Sequence, residues 1–148
     1  MIRGYFGIGC YGMKTSFNYG TLFRSAKILG ADFIFLINTR FKVQSSDTVK
    51  SHNHLPLYQY ENFKQFNDNR PYGAELVGIE LDEKSKPISE FVHPQKAIYL
   101  LGAEDTGLPK EVINQCQHLI QLPGEFSLNV SVAGSIVLFD RINKLIKP

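Results

Sequence analysis

Residues 97–101, AIYLL, are apolar at every position and run directly into Gly102. A strand with one face in water alternates apolar and polar side chains, whereas a strand with no polar position needs cover on both faces. That is the condition of a parallel strand inside an α/β sheet. The rest of the chain supplies elements of the same kind. Residues 2–11 mix Ile, Phe, Tyr and Gly with no charge beyond Arg3 and read as a buried strand loosened by glycines near its end. After a turn at residues 13–17, Asn18 can cap a helix to about residue 29, with Leu22, Ala26 and Leu29 on one side and Gly30 as its stop. Residues 31–37, ADFIFLI, are a second apolar strand, so the chain opens strand, helix, strand. Residues 75–81 and 118–122 read as further strands, 60–66 as a short helix, 88–92 as one helical turn, and 109–116 as a helix opened by Pro109. The expected fold class is α/β, a mostly parallel sheet with helices on both faces, in a single domain over residues 1–148.

A chain of 148 residues has room for one core. No stretch approaches the roughly 18–20 apolar residues of a membrane span. Residues 1–4, MIRG, do not start a signal peptide, so a cytoplasmic protein without a membrane partner is expected. Cys10 and Cys116 lack companions at metal-ligand spacing and read as inert thiols in a reducing compartment. The net charge of +2 permits a polyanionic partner without demanding one. Residues 38–54 set Arg40, Lys42, Lys50, His52 and His54 against one acid, Asp47, and read as a basic surface loop. Tyr58, Tyr60, Phe63 and Phe66 form either core and interface or a platform for stacking bases. The longest helix, over residues 129–146, is apolar on two flanks. Val130, Ala133, Val137, Leu138, Ile142 and Leu145 make one stripe, and Val132, Ile136, Phe139 and Ile146 the other. Two apolar flanks need two surfaces, the chain's own sheet and a second subunit, which argues for a homodimer.

Three stretches carry more glycine and polar chemistry than such a fold requires. At the first helix start, NYGTLFR holds Asn18 and Arg24 where a fork of donors suits a phosphate or ribose oxygen; a surface arginine behind an ordinary cap fits equally. After the AIYLL strand, LGAEDTGLP is either a plain connection or a place where backbone approaches a ligand at a strand end. Before the last helix, LPGEFSLN offers Ser127 and Asn129 as caps or as site residues. The competing templates are missing their parts. There is no G-x-S-x-G for a serine hydrolase, no G-K-[ST] or G-x-G-x-x-G phosphate loop, and His52, His54, His93 and His118 do not cluster for a metal. A flavodoxin-like module would need an anion nest at residues 10–16, where none is evident.

Taken in order, these stretches match three motifs: Asn-x-Gly-x-x-x-Arg as Asn18, Gly20 and Arg24; Gly-x-Glu-x-x-Gly-Leu as Gly102, Glu104, Gly107 and Leu108; and Ser-Leu-Asn-Val-Ser-x-Ala from Ser127 to Ala133. In this the chain resembles the TrmH or SpoU-type branch of the SPOUT superfamily, knotted RNA methyltransferases that use S-adenosyl-L-methionine. The resemblance covers nearly the whole chain and is loosest over residues 38–71. It implies a C-terminal deep trefoil knot, an exception to the rule that chains do not thread. It further implies that Leu100, Leu101, Gly102, Ala103, Glu104, Ile120, Leu122, Pro123, Ser127, Leu128 and Val132 grip the methyl donor, largely through backbone groups. Dimerisation through the first and last helices, with a site completed between subunits, is implied too. So is a catalytic set of Arg24, Asn18, Glu104, Ser127 and Asn129. A guanidinium is a poor base, so the role implied for Arg24 is to orient the ribose or its phosphate beside the target 2'-hydroxyl. The implied substrate is RNA, tRNA before rRNA, with no DNA and no metal. An inactive RNA-binding member of the fold is the alternative. Without an N-terminal RNA-binding extension, contacts to the RNA backbone would fall to Lys14, Arg40, Lys42, Lys50, His52, His54 and Arg70.

Overall fold

The computed structural model describes residues 4–13, 16–39, 50–103, 105–125 and 128–145, with side chains at all of these but 16–18 and 51. Its strands are β1 (Tyr5–Tyr11), β2 (Phe33–Ile37), β3 (Leu57–Tyr60), β4 (Glu75–Ile79), β5 (Lys86–Pro87), β6 (Lys96–Gly102) and β7 (His118–Gln121). The helices are α1 (Ser16–Ile28), α2 (Phe63–Asn69), α3 (Lys110–Ile113) and α4 (Val130–Leu145), with 3-10 turns at Ser51–Asn53 and Ile88–Glu90. The seven strands form one sheet in the order β3-β2-β1-β6-β4-β7-β5, and every pairing is parallel.

The AIYLL run behaves as an all-apolar strand must. Ala97, Tyr99 and Leu101 enter the core beneath α1 and α4, while Ile98 and Leu100 enter the core on the other face, beside α2 and α3. On the first face, Ile8 and Cys10 of β1 meet Leu22, Phe23 and Ala26 of α1 and Ala133, Val137 and Leu138 of α4. On the second, Phe33, Phe35 and Ile37 of β2 meet Phe63 and Phe66 of α2 and Val112 of α3. The glycines of β1 do not loosen it. A Cβ on Gly7 would lie 2.2 Å from the Phe33 ring and one on Gly9 2.4 Å from the Phe35 ring, so two aromatic side chains of β2 lie across the bare backbone of β1. The cluster of aromatics is chiefly core: Phe63 and Phe66 are buried, Phe66 stacks on Phe35 at 4.9 Å, and Tyr58 stays exposed.

Several elements depart from the expected boundaries. β3 is a strand where the sequence suggested none, because an edge strand with two exposed central residues carries little apolar signal. The helix expected from residue 60 begins at Phe63, where the Asn62 side chain accepts from the Gln65 amide at 2.8 Å. The helix expected to reach residue 116 is the single turn α3. α1 begins at Ser16, which places Asn18 inside its first turn rather than at its cap. Burial pushes both thiols up, Cys116 to about 11, so neither ionises near neutrality. No described helix is long and apolar enough to cross a membrane.

The far end of α4 is fastened by a polar clasp. Arg141, 3% exposed, donates to the Pro94 carbonyl at 2.6 Å, the Gln95 carbonyl at 2.8 Å and the Tyr99 hydroxyl at 3.1 Å, and lies over the Phe6 ring. Burial pushes the Tyr99 phenol up to about 12, so it keeps its proton. The bond order then assigns the tautomer of His93. Tyr99 donates to Nδ1 at 2.7 Å, Nε2–H donates to Asp140 at 2.7 Å, and Lys144 closes on Asp140 at 2.9 Å. Burial outweighs the Asp140 carboxylate and holds the imidazole below its ordinary 6.5. The unfolded chain therefore takes up a proton that the folded chain resists. Stability from this site is complete above pH 6.5 and falls as pH drops through the lowered value. Melting curves on either side of pH 6.5 should show a loss on the acid side that His93→Gln reduces; equal slopes would remove His93 from the account.

Candidate functional site

β6 and β7 follow each other in the chain but lie on either side of β4, so the segments leaving β4, β6 and β7 converge at one end of the sheet. In an open parallel sheet, the C-terminal strand ends are where ligand crevices form. A cavity of about 230 Å³ lies there. Ile79, Glu80 and Leu81 border it from the end of β4, Leu101 and Gly102 from β6, and Gln121 and Leu122 from β7. Leu128, Val130 and Ala133, at the start of α4, close the apolar side. The remaining wall is the loop after β6, through Ala103, Asp105, Thr106 and Gly107.

That loop is shaped by its glycines. The Gly107 amide donates to the Ala103 carbonyl at 2.7 Å, folding the loop back on the strand that feeds it. A Cβ on Gly102 would lie 2.4 Å from the Gly107 carbonyl carbon, and Gly107 sits at φ +67°, a conformation that L side chains rarely adopt. Leu108 anchors the far end in the second core, and its amide donates to Glu80 Oε2 at 2.7 Å. Among the described residues bordering the cavity, the charged ones are Glu80 and Asp105, both acids. The start of α4 is capped by Asn129, whose Oδ1 accepts from the Ser131 amide at 2.9 Å and the Ser131 hydroxyl at 2.7 Å.

Of the residues expected to hold a methyl donor, Leu101, Gly102, Ala103, Leu122 and Leu128 border this cavity. Ile120 is fully buried in the core of the same face, and the Leu100 side chain belongs to the opposite core. Pro123 and Val132 are exposed and do not border the cavity. Glu104 and Ser127 lie outside the described residues. Arg24 is exposed on α1 and does not border the cavity of its own chain. Of the basic residues expected to face RNA, Lys14, Arg40 and Lys42 lie outside the described residues; Lys50 and His54 are exposed, and His52 and Arg70 are half-buried, Arg70 near Gln117. Sequence reasoning missed Ile79, Glu80 and Leu81, which border the cavity from the end of β4. The sequence placed Glu80 inside a strand over residues 75–81, whereas the structure ends β4 at Ile79 and leaves Glu80 at its exit.

The model of the SpoU rRNA Methylase family matches residues 6–139. The mouse tRNA (guanosine(18)-2'-O)-methyltransferase TARBP1 is 25% identical over 83% of this chain and 8% of its own length. The 23S rRNA (guanosine-2'-O-)-methyltransferase RlmB of Acinetobacter baylyi is 39% identical over 45% of this chain and 28% of its own. Among solved structures, an AdoMet-bound rRNA methyltransferase from Sinorhizobium meliloti superimposes with a TM-score of 0.84 at 24% identity, over 98% of this chain and 58% of that one. This chain thus spans less than a third of either curated relative.

Proposed function

This chain belongs to the SpoU rRNA Methylase family, and on that premise we propose that it methylates a ribose 2'-hydroxyl of RNA, with tRNA as the first candidate and S-adenosyl-L-methionine as the methyl donor. The carrying observation is the cavity at the ends of β4, β6 and β7, walled by a glycine-shaped loop and by the start of α4. Its composition fits the donor. Ile79, Leu101, Leu122 and Val130 offer apolar cover, and the bare Gly102 and Gly107 let backbone groups approach. When bound, S-adenosyl-L-methionine supplies a methyl group activated by its sulfonium. The chain's own contribution is to hold and align. Leu101 to Ala103, Leu122 and Leu128 would hold the donor, while Arg24 and Asn18 orient the ribose and its phosphate. Glu104, Ser127 and Asn129 complete the site as the family motifs imply.

A homodimer belongs to the same reading. Val132, Ile136 and Phe139 leave an apolar flank of α4 exposed, and α1, which packs on α4, adds exposed Ile28. In this reading the Arg24 of a second copy completes the first copy's site, as the family resemblance implies; sedimentation reads the oligomeric state directly. The C-terminal knot is likewise inferred, supported by the passage from β6 past β4 to β7 and by the return of α4 onto α1 and β6. Lys50, His54 and Arg70 are proposed contacts to the RNA backbone.

Mapping 2'-O-methyl sites in RNA from cells with and without the gene tests the assignment. One or very few sites lost from tRNA is the expected result. A site lost from rRNA would move the substrate, and an unchanged ribose-methylation map would overturn the reading.

A further inference from the structure

Glu80 is the first residue after β4, and its main chain is held on both sides. Its amide donates to the Ile120 carbonyl at 3.0 Å, and its own carbonyl accepts from the Ser85 hydroxyl at 2.8 Å. From this fixed base the side chain crosses to the loop after β6. Oε2 accepts the Leu108 amide at 2.7 Å, and the carboxylate lies where a Cβ on Gly107 would come within 2.6 Å of Oε2 and 3.0 Å of Oε1. The residue that borders the cavity from β4 thus also ties down the loop that borders it from β6.

We propose that Glu80 is a positioning residue for the methyl donor: its carboxylate holds the loop from Gly102 to Leu108 folded back, so that the backbone groups facing the cavity are in place before the donor arrives. The Ala103–Gly107 bridge closes the loop on itself, and the bond from the Leu108 amide to Glu80 ties it to the end of β4. Leu108 is pinned through its side chain in the second core, and its amide through Glu80. Removing the acceptor leaves the Leu108 amide without this partner, and a donor stripped of its acceptor costs more than an ordinary hydrogen bond contributes. A loop ordered in advance does not charge its ordering entropy to the ligand. The length of the side chain matters, because an aspartate at this site is one methylene short of Leu108.

This inference rests on the reading of the cavity as a donor site, and the experiment separates the two. Hydrogen exchange of the free protein, read on the segment 102–108, needs no ligand. Glu80→Ala and Glu80→Asp should speed exchange there, and Glu80→Gln, which keeps an acceptor of the same reach, should not. Titration calorimetry with S-adenosylhomocysteine should then show binding weakened about tenfold for Ala and Asp and by less than about threefold for Gln, while KM for RNA stays within about twofold of wild type. Thermal unfolding checks that each variant is folded, and Asp stands in for Ala if Ala is not. Unchanged exchange and affinity in Ala and Asp would overturn the proposal. So would a Gln variant as impaired as Ala, since charge rather than anchorage would then be at work. If wild type binds neither S-adenosylhomocysteine nor S-adenosyl-L-methionine, the donor-site reading fails whatever the exchange data say about the anchor.

Discussion

Replacing Arg24 with Ala is expected to slow methyl transfer by roughly 10²–10³-fold, the size of effect seen when one positioned donor to a reacting centre is removed. S-adenosylhomocysteine binding should stay close to wild type, because the role proposed for Arg24 is toward the ribose and its phosphate rather than toward the methyl donor. The fold should tolerate the change equally well. The side chain is exposed, so its removal opens no cavity and strands no buried partner. Lysine is an instructive second variant. It keeps the charge but loses the planar fork, so if Arg24 orients a phosphate or ribose through two donors, Lys recovers only part of the rate. Single-turnover measurements with saturating donor and RNA separate this loss from weakened binding. A rate within a few-fold of wild type for Arg24→Ala would remove the residue from the mechanism, and with it the reason for expecting a partner subunit to complete the site.

The largest effect on stability should come from the other end of the chain. Arg141→Ala is expected to cost about 3 kcal/mol or more, from the loss of charged hydrogen bonds worth roughly 1.5–3 kcal/mol each, discounted because they share one side chain. The guanidinium is the donor to the Pro94 and Gln95 carbonyls and to Tyr99, and those acceptors remain after truncation. Tyr99 in turn fixes His93, and His93 reaches Asp140. Loss of Arg141 should therefore also blunt the acid sensitivity that His93 brings. Urea unfolding measures the first effect and its pH dependence the second. A loss below about 1 kcal/mol, an ordinary surface value, would mean that water replaces the guanidinium without penalty and that the clasp does not hold α4.

How legible these features were in the sequence depends on how local their causes are. The apolar run at residues 97–101 announced its burial on both faces because burial of a strand is written in consecutive residues. The two apolar flanks of the last helix were equally plain, and the structure buries one of them. β3 and β5 were not legible: the first is an exposed edge, and the second is two residues, Lys86 and Pro87, that pair with β7 only because the sheet happens to end there. Arg141 looked like one charge on a long helix. Nothing near it in the chain shows that it is 3% exposed, because its acceptors lie some 46 residues away.

The residues alone settled the class of the fold, the three motifs and the family they point to, since periodicity and motif spacing are properties of neighbours along the chain. Tertiary structure alone decided which strand ends meet. Strand order puts β4 between β6 and β7, and only that order brings Glu80 to the amide of Leu108, 28 positions further on. Hydrogen bonds of this reach form only after the chain has closed loops that no local preference specifies.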